Sequence, residues 1–157
     1  MSAPPVTIAP GTASDLDGVM RVMEESFDPA FGEAWTSAQC AGLLPLPDVW
    51  LSLARRGDEV VGFSLSRIVL DEAELLLLAV RPKGQRQGIG QLLLDRFVVE
   101  AKRRGATHLH LEVRDGNHAI ELYMRSGFNE AGRRYNYYNG RDGQLRDALT
   151  LARKIKR

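Results

Sequence analysis

Cysteine is all but missing from this chain: Cys40 is the only one among 157 residues. A lone thiol rules out an internal disulfide framework and a zinc site built from cysteines. Long apolar runs are missing too. The longest, Leu75–Val80, has six residues, against the roughly 20 that a membrane-crossing helix needs. Met1–Pro10 has no basic segment followed by an apolar stretch, so no secretory signal is read there. A cytoplasmic protein without membrane contact is the expectation. No repeat and no low-complexity linker interrupts the chain. With 44% of its residues hydrophobic, one domain over residues 1–157 can bury a core of its own.

Net charge is nearly absent as well, +1 from 21 basic and 20 acidic groups. Its distribution is uneven. Residues 1–80 carry 12 acidic and 4 basic groups, net −8, whereas residues 81–157 carry 8 and 17, net +9. The asymmetry points to an anionic ligand on the second half. On charge alone, a nucleic acid, a nucleotide cofactor and surface chance all stay open.

Periodicity supplies the elements. Val6–Ala9 reads as a strand. Ser14 and Asp15 stand where a helix cap belongs, before Leu16, Val19, Met20, Met23 and Phe27 at helical spacing. Thr36–Leu44 reads as a weaker helix closed by Pro45 and Pro47. Trp50–Ala54 and Val60–Leu70 flank a hairpin turn at Arg56-Gly57-Asp58-Glu59. Glu74–Val80 is apolar on both faces and therefore central. A long helix follows from Gly88 to Arg104, then a strand Thr107–Val113, a short helix Asn117–Ser126, and closing strands Phe128–Tyr138 and Ala148–Ile155. The order β-α-α-β-β-β-α-β-α-β-β makes an α/β protein with a mixed sheet and helices on both faces.

The sharpest local feature is Gln85-Arg86-Gln87-Gly88-Ile89-Gly90, between the buried strand and the long helix. Glycine lets a backbone approach a ligand closely. The first N–H groups of a helix lack internal partners, at the positive end of its dipole. The loop therefore suits a phosphate or pyrophosphate, with Arg81, Lys83 and Arg86 adding charge. It is neither a Walker loop nor the three-glycine dinucleotide fingerprint. A plain strand-to-helix turn is the alternative.

These residues carry a resemblance. Leu75–Arg96 resembles motif A of the GNAT superfamily of N-acetyltransferases, its Q/R-x-x-G-x-G/A signature met by Gln85, Gly88 and Gly90. Ala119–Phe128 resembles the family's A-I-x-L-Y-x-x-x-G-F motif. Within the superfamily, Asp71-Glu72-Ala73, Leu111-Glu112-Val113-Arg114 and Arg133-Arg134 with Asn136-Tyr137-Tyr138 resemble segments of RimI-type ribosomal-protein-alanine N-acetyltransferases. The resemblance implies a GNAT fold and acetyl-CoA as cosubstrate. It implies cofactor contacts from Leu78, Ala79, Val80, Gln85, Arg86, Gln87, Gly88, Ile89, Gly90, Gln91 and Asn117. It implies Glu112 as general base and Tyr123 as general acid. Trp35, Tyr135, Tyr137 and Tyr138 are the acceptor-side candidates. The implied acceptor is the N-terminal alanine of a small-subunit ribosomal protein. Three departures stand out. Asn117 is six residues before Tyr123 rather than seven, with Gly116 at the usual place. Ala34-Trp35-Thr36 replaces a Pro-Trp-Ser signature. An extra residue separates Arg134 from the Asn-Tyr-Tyr run.

Other readings compete. Glu112 could instead be bridged to Arg114 or Arg133, and Tyr123 could simply be a packing residue. His108, His110 and Glu112 alternate along one strand face, but their side chains would run parallel rather than converge, so no metal is expected. Lys102–Arg104 and the Arg133–Tyr138 segment also suit an RNA-binding module without catalysis, although no direct nucleic-acid role is expected. Within the fold, a lysine side chain or a small-molecule amine is the alternative acceptor.

Overall fold

The computed structural model describes residues 4–85 and 87–156; Arg86 lies outside them. The elements in chain order are β1 (Val6–Gly11), α1 (Leu16–Ser26), α2 (Ser37–Leu43), β2 (Val49–Arg56), β3 (Glu59–Val69) and β4 (Glu72–Val80). They continue with α3 (Ile89–Arg103), β5 (His108–Arg114), α4 (Ala119–Arg125), β6 (Asn129–Asn139) and β7 (Leu145–Lys154). The strands form one seven-stranded mixed sheet in the order β1-β2-β3-β4-β5-β7-β6. β4 is central, as its two-sided apolarity requires. Among the described residues, no helix is long and apolar enough to cross a membrane.

Local chemistry sets the boundaries. The cap ahead of α1 is Thr12 rather than Ser14 or Asp15. Its hydroxyl accepts from the Ser14 amide, and Asp15 reaches back to the Thr12 amide at 2.8 Å. A single 3-10 turn, Ala13–Asp15, therefore precedes the α-helix. Thr36 and Gln39 form a second capping box on α2, worth about 1 kcal/mol. The tight turn before α4 explains the shifted asparagine: the Asn117 N–H donates to Arg114 O at 3.0 Å, and Gly116 takes φ +91°. Only glycine adopts that backbone freely, so Gly116 is what makes the shorter turn possible.

Two apolar layers cover the sheet. On one face Leu94, Phe97 and Ala101 of α3 pack with Trp50, Leu75, Leu109, Leu111, Val113, Tyr123 and Phe128. On the other, Val19, Val22 and Met23 of α1 and Cys40 of α2 pack with Leu53, Phe63, Leu65, Leu77 and Ala79. Each large buried side chain contributes roughly 1.5–3 kcal/mol. β4 changes sides within its own length: Ala73 and Leu75 face α3, whereas Leu77 and Ala79 face α1. The cause is a β-bulge. Leu65 opposes Leu77 and Ser66 opposes Leu75, which leaves Leu76 as the extra residue. A bulge bends its strand and inverts the alternation beyond it.

The bend coincides with a separation. β4 and β5 pair in parallel only over Glu72–Leu75 and His108–Leu111. Beyond that point Leu76–Val80 and Glu112–Arg114 diverge, and the sheet opens into a V. One edge of β4 is thereby left without a strand partner along Leu76–Val80.

Candidate active site

The open V has two walls. The β4 wall presents the main-chain edge of Leu76–Val80, including Leu78, Ala79 and Val80. The Gln85 side-chain amide donates to Val80 O at 3.2 Å and the Ser26 hydroxyl to the same oxygen at 2.9 Å. Above that edge begins α3. Its cap residue Gly88 adopts φ +79° without a side-chain cap, and a Cβ placed there would meet nothing within 4 Å. The Leu92 amide is the first to find a helical carbonyl, Gly88 O at 3.1 Å. The Ile89, Gly90 and Gln91 amides have no carbonyl within the helix, and they follow directly on the open Gly88. Gly90 serves a different end, because a Cβ there would come within 3.3 Å of Leu122 on α4. It sets the close approach of the two helices.

Several polar side chains of this loop are already engaged. Gln87 accepts from Arg56 at 2.6 Å and donates to Lys83 O at 3.2 Å, and Gln91 donates to Asp95 at 2.8 Å and to Ser126 at 3.1 Å. Arg81 pairs with Glu25 and Glu59, and Lys83 with Glu59 at 2.6 Å. The positive charge expected from Arg81 and Lys83 is therefore neutralised internally. Among the described residues of the loop, what is offered to an anion is the main chain.

The β5 wall carries the titratable groups. Leu109, Leu111 and Val113 point to α3 and α4, so His110, Glu112 and Arg114 point to the other face. Glu112 is 11% exposed. Its Oε2 accepts from the Thr150 hydroxyl at 2.7 Å, and its Oε1 lies 3.1 Å from Arg134 Nε. The bridge is thus to Arg134, not to Arg114 or Arg133. Arg114 takes Glu33 at 2.8 Å, and Arg133 takes Asp115 at 2.8 Å and Asp147 at 3.0 Å. A carboxylate has about four acceptor positions, so Glu112 keeps lone pairs for a proton.

Tyr123 comes from the opposite face, buried on α4 with its ring edge-on to Phe128 at 6.2 Å. Burial, and after it the charge of Glu33, pushes its phenol well above the ordinary value near 10. It stays protonated at any working pH. Tyr138 is half-buried beside it, its hydroxyl donating to Glu112 O at 3.5 Å. Burial raises this phenol too, with further upward contributions from Glu33, Tyr137, Glu112 and Tyr123. One carboxylate and two phenols therefore gather at the open end of the V, with a second carboxylate, Glu33, beside them.

The remaining candidates scatter. Tyr135 is 76% exposed. Tyr137 packs edge-on to Tyr138 at 4.9 Å, with Arg134 over its other side at 5.7 Å. All three tyrosines lie on edge strand β6, in a bulge where Arg134 pairs with Ala148 but Tyr138 with Arg146. Asn136 takes φ +55° there, its amide held by Asp147 at 2.9 Å. Trp35 packs half-buried against the α1–α2 core. Asn117 donates to Glu33 at 2.8 Å and accepts from the Ala119 amide at 2.8 Å, so both ends of its amide are used within the protein. His108 and His110 lie away from α3, near Asp71 and Glu74 at 3.9 and 3.6 Å. Among the described residues, no group of three or more His, Cys, Asp or Glu side chains could hold a metal ion. Glu33 and Thr150 escaped the sequence reading. Thr150 is legible only once β7 is laid against β5, where it faces Glu112 directly.

The model of the acetyltransferase (GNAT) family matches residues 16–128. The chain belongs to the GNAT family. Among GNAT relatives, the ribosomal protein bS18-alanine N-acetyltransferase of Escherichia coli (strain K12) is 46% identical over 98 residues. That match spans 62% of this chain and 66% of the relative, just under two thirds of its length. The crystal structure of the ribosomal-protein-S18-alanine N-acetyltransferase from Escherichia coli superposes with a TM-score of 0.87 at 34% identity, covering 98% of this chain and 96% of that one. A PaiA N-acetyltransferase from Thermoplasma acidophilum, in complex with coenzyme A, shares the fold at 18% identity. Its TM-score is 0.77, with 96% of this chain and 99% of that one covered.

Proposed function

We propose that this GNAT domain transfers the acetyl group of acetyl-CoA to the N-terminal alanine of a ribosomal protein in the cytoplasm. The observation that carries the reading is the pairing of two features across the open V. A main-chain cradle, the β4 edge with the first turn of α3, faces a base and an acid, Glu112 and Tyr123. The names of the Escherichia coli relatives support the choice of acceptor.

The residues fit the cosubstrate. Leu76–Val80 offers backbone donors and acceptors to an extended amide-bearing arm. The Ile89–Gln91 amides, with Gly88 open beside them, suit a pyrophosphate. Acetyl-CoA supplies an acyl group joined to sulfur as a thioester. Glu112 accepts a proton from the acceptor ammonium, so that the nitrogen lone pair can form the new bond to the acyl carbon. Tyr123 gives its proton to sulfur as the old C–S bond breaks and regains one from the nitrogen, which sheds its second proton on becoming an amide. An α-amine has a pKa of about 8 and is roughly one-tenth neutral at pH 7, whereas a lysine amine at about 10.4 is neutral in well under a thousandth. A single carboxylate, already shared with Arg134 and Thr150, fits the smaller demand. Holding both substrates in the V supplies much of the rate through proximity.

An acceptor screen tests the reading. Acetyl-CoA is offered with peptides bearing a free N-terminal alanine, with blocked peptides containing lysine, and with small amines such as spermidine. Acetylation of the free α-amine is expected. Transfer only to lysine or to small amines would overturn the acceptor.

A further inference from the structure

We infer that Glu33 is a positioning residue, which ties the segment before α2 to the start of α4 and so sets where Tyr123 stands. The inference rests on the acetyl transfer proposed above. Glu33 lies outside both motifs, in a stretch without periodicity, yet it is only 10% exposed.

Its two oxygens have different partners. Oε1 accepts from Arg114 Nε at 2.8 Å, and Oε2 accepts from Asn117 Nδ2 at 2.8 Å. Asn117 in turn accepts from the Ala119 amide at 2.8 Å, the first amide of α4, whose cap residue His118 has no side-chain bond of its own. Tyr123 sits one turn further along that helix. The near end of the chain of bonds is equally fixed. The Arg114 guanidinium lies over the Phe31 ring at 3.9 Å, that of Arg146 also lies over it at 4.8 Å, and Arg146 donates to Ala30 O at 2.8 Å. Gly32 takes φ +70°, and a Cβ there would come within 2.3 Å of Asn139 O. Residues 30–33 are thus bolted to the ends of β5, β6 and β7, on the side where the acceptor would enter.

The bonding has one allowed polarity. Arg114 Nε is a donor and cannot be otherwise. Glutamine at position 33 must turn its oxygen to Arg114 and its NH2 toward Asn117, donor against donor. Asn117 can accept that bond only by turning its own NH2 toward the Ala119 amide. One of the three bonds is lost either way. Aspartate at position 117 reverses the demand: the glutamine NH2 donates to one carboxylate oxygen and the Ala119 amide to the other. Glu33→Gln with Asn117→Asp therefore restores all three bonds and leaves the total charge unchanged.

The test uses the full chain with acetyl-CoA and an alanine-starting peptide. Each single variant is expected to lower kcat by roughly tenfold to a hundredfold, with KM for acetyl-CoA moving much less. Exchange of the Ala119 amide with D2O should quicken in both. The double variant should return kcat to within about threefold of the parent and slow the exchange again, a non-additivity that independent sites do not show. A Glu33→Gln variant with parental kcat overturns the inference. So does a loss that the double variant fails to recover. A parent protein inert toward every amine would sink the acetyl-transfer reading instead, and Ala119 exchange would still decide whether Glu33 sets the start of α4.

Discussion

At the scale of single residues, the site rests on few side chains, and they differ in how far the sequence betrays them. Glu112 and Tyr123 stand in recognisable motifs. Glu33 does not, because its partner Arg114 is 81 residues away and nothing in Gly32-Glu33-Ala34 marks a functional position. Trp35 reads as an acceptor contact, and it stands half-buried against the α1–α2 core. Exchange of one carboxylate oxygen tests the base: Glu112→Gln should lower kcat near pH 7 by about a hundredfold, within the range of general-base catalysis. The deficit should shrink as pH rises past the α-amine pKa, because solution then supplies the neutral amine. A pH–rate profile of both proteins checks this. Tyr123→Phe should cost about as much in kcat but change KM for acetyl-CoA little, because the phenol is assigned a proton that matters only as the C–S bond breaks, while the main-chain cradle holds the cosubstrate.

Among the elements, periodicity located each strand and helix to within a few residues but missed the geometry that makes a site of them. The burial of β4 alternates without a break along Glu72–Val80, so nothing in its pattern announces that Leu77 faces the opposite way from Leu75. That reversal comes from the register against β3, a tertiary fact. Gly116 illustrates the converse, a local signal with a local explanation. Its φ of +91° costs an alanine about 1 kcal/mol. A Cβ there meets only Arg114 Nη1 at 3.6 Å, so the penalty is backbone strain alone. Gly116→Ala should lower Tm by about 2–4 °C, measurable by differential scanning calorimetry. A larger drop would show that the turn also supports the Glu33–Asn117 contact.

Taken whole, the molecule spends much of its charge asymmetry on itself. The acidic half meets the basic half through Arg81 with Glu25 and Glu59, and through Arg114 with Glu33. The net −8 of residues 1–80 is thus partly taken up in ion pairs, and Arg103 and Arg104 at the end of α3 share Glu100. One such pair gives stability a pH dependence. His110 is raised above 6.5 chiefly by the Glu74 carboxylate 3.6 Å away, with Glu72 and Glu112 adding to it against burial. Glu74 is lowered below 4.5, chiefly by His110 and then by Arg67. A raised histidine stabilises fully below its unfolded value, and that contribution is lost as pH rises through the folded one. A lowered carboxylate stabilises above its unfolded value and loses this as pH falls through the folded one. The pair therefore helps most between about 4.5 and 6.5. Tm should decline above that window, and His110→Gln should flatten the decline.

We propose that the cradle of β4 and α3 holds acetyl-CoA across from Glu112 and Tyr123. Amide hydrogen exchange with and without saturating acetyl-CoA tests it most directly. Protection is predicted at Leu76–Val80 and Ile89–Gln91, with β1 and β2 unchanged. Protection confined instead to His108–His110 and the start of β6, or no protection anywhere, would contradict the account.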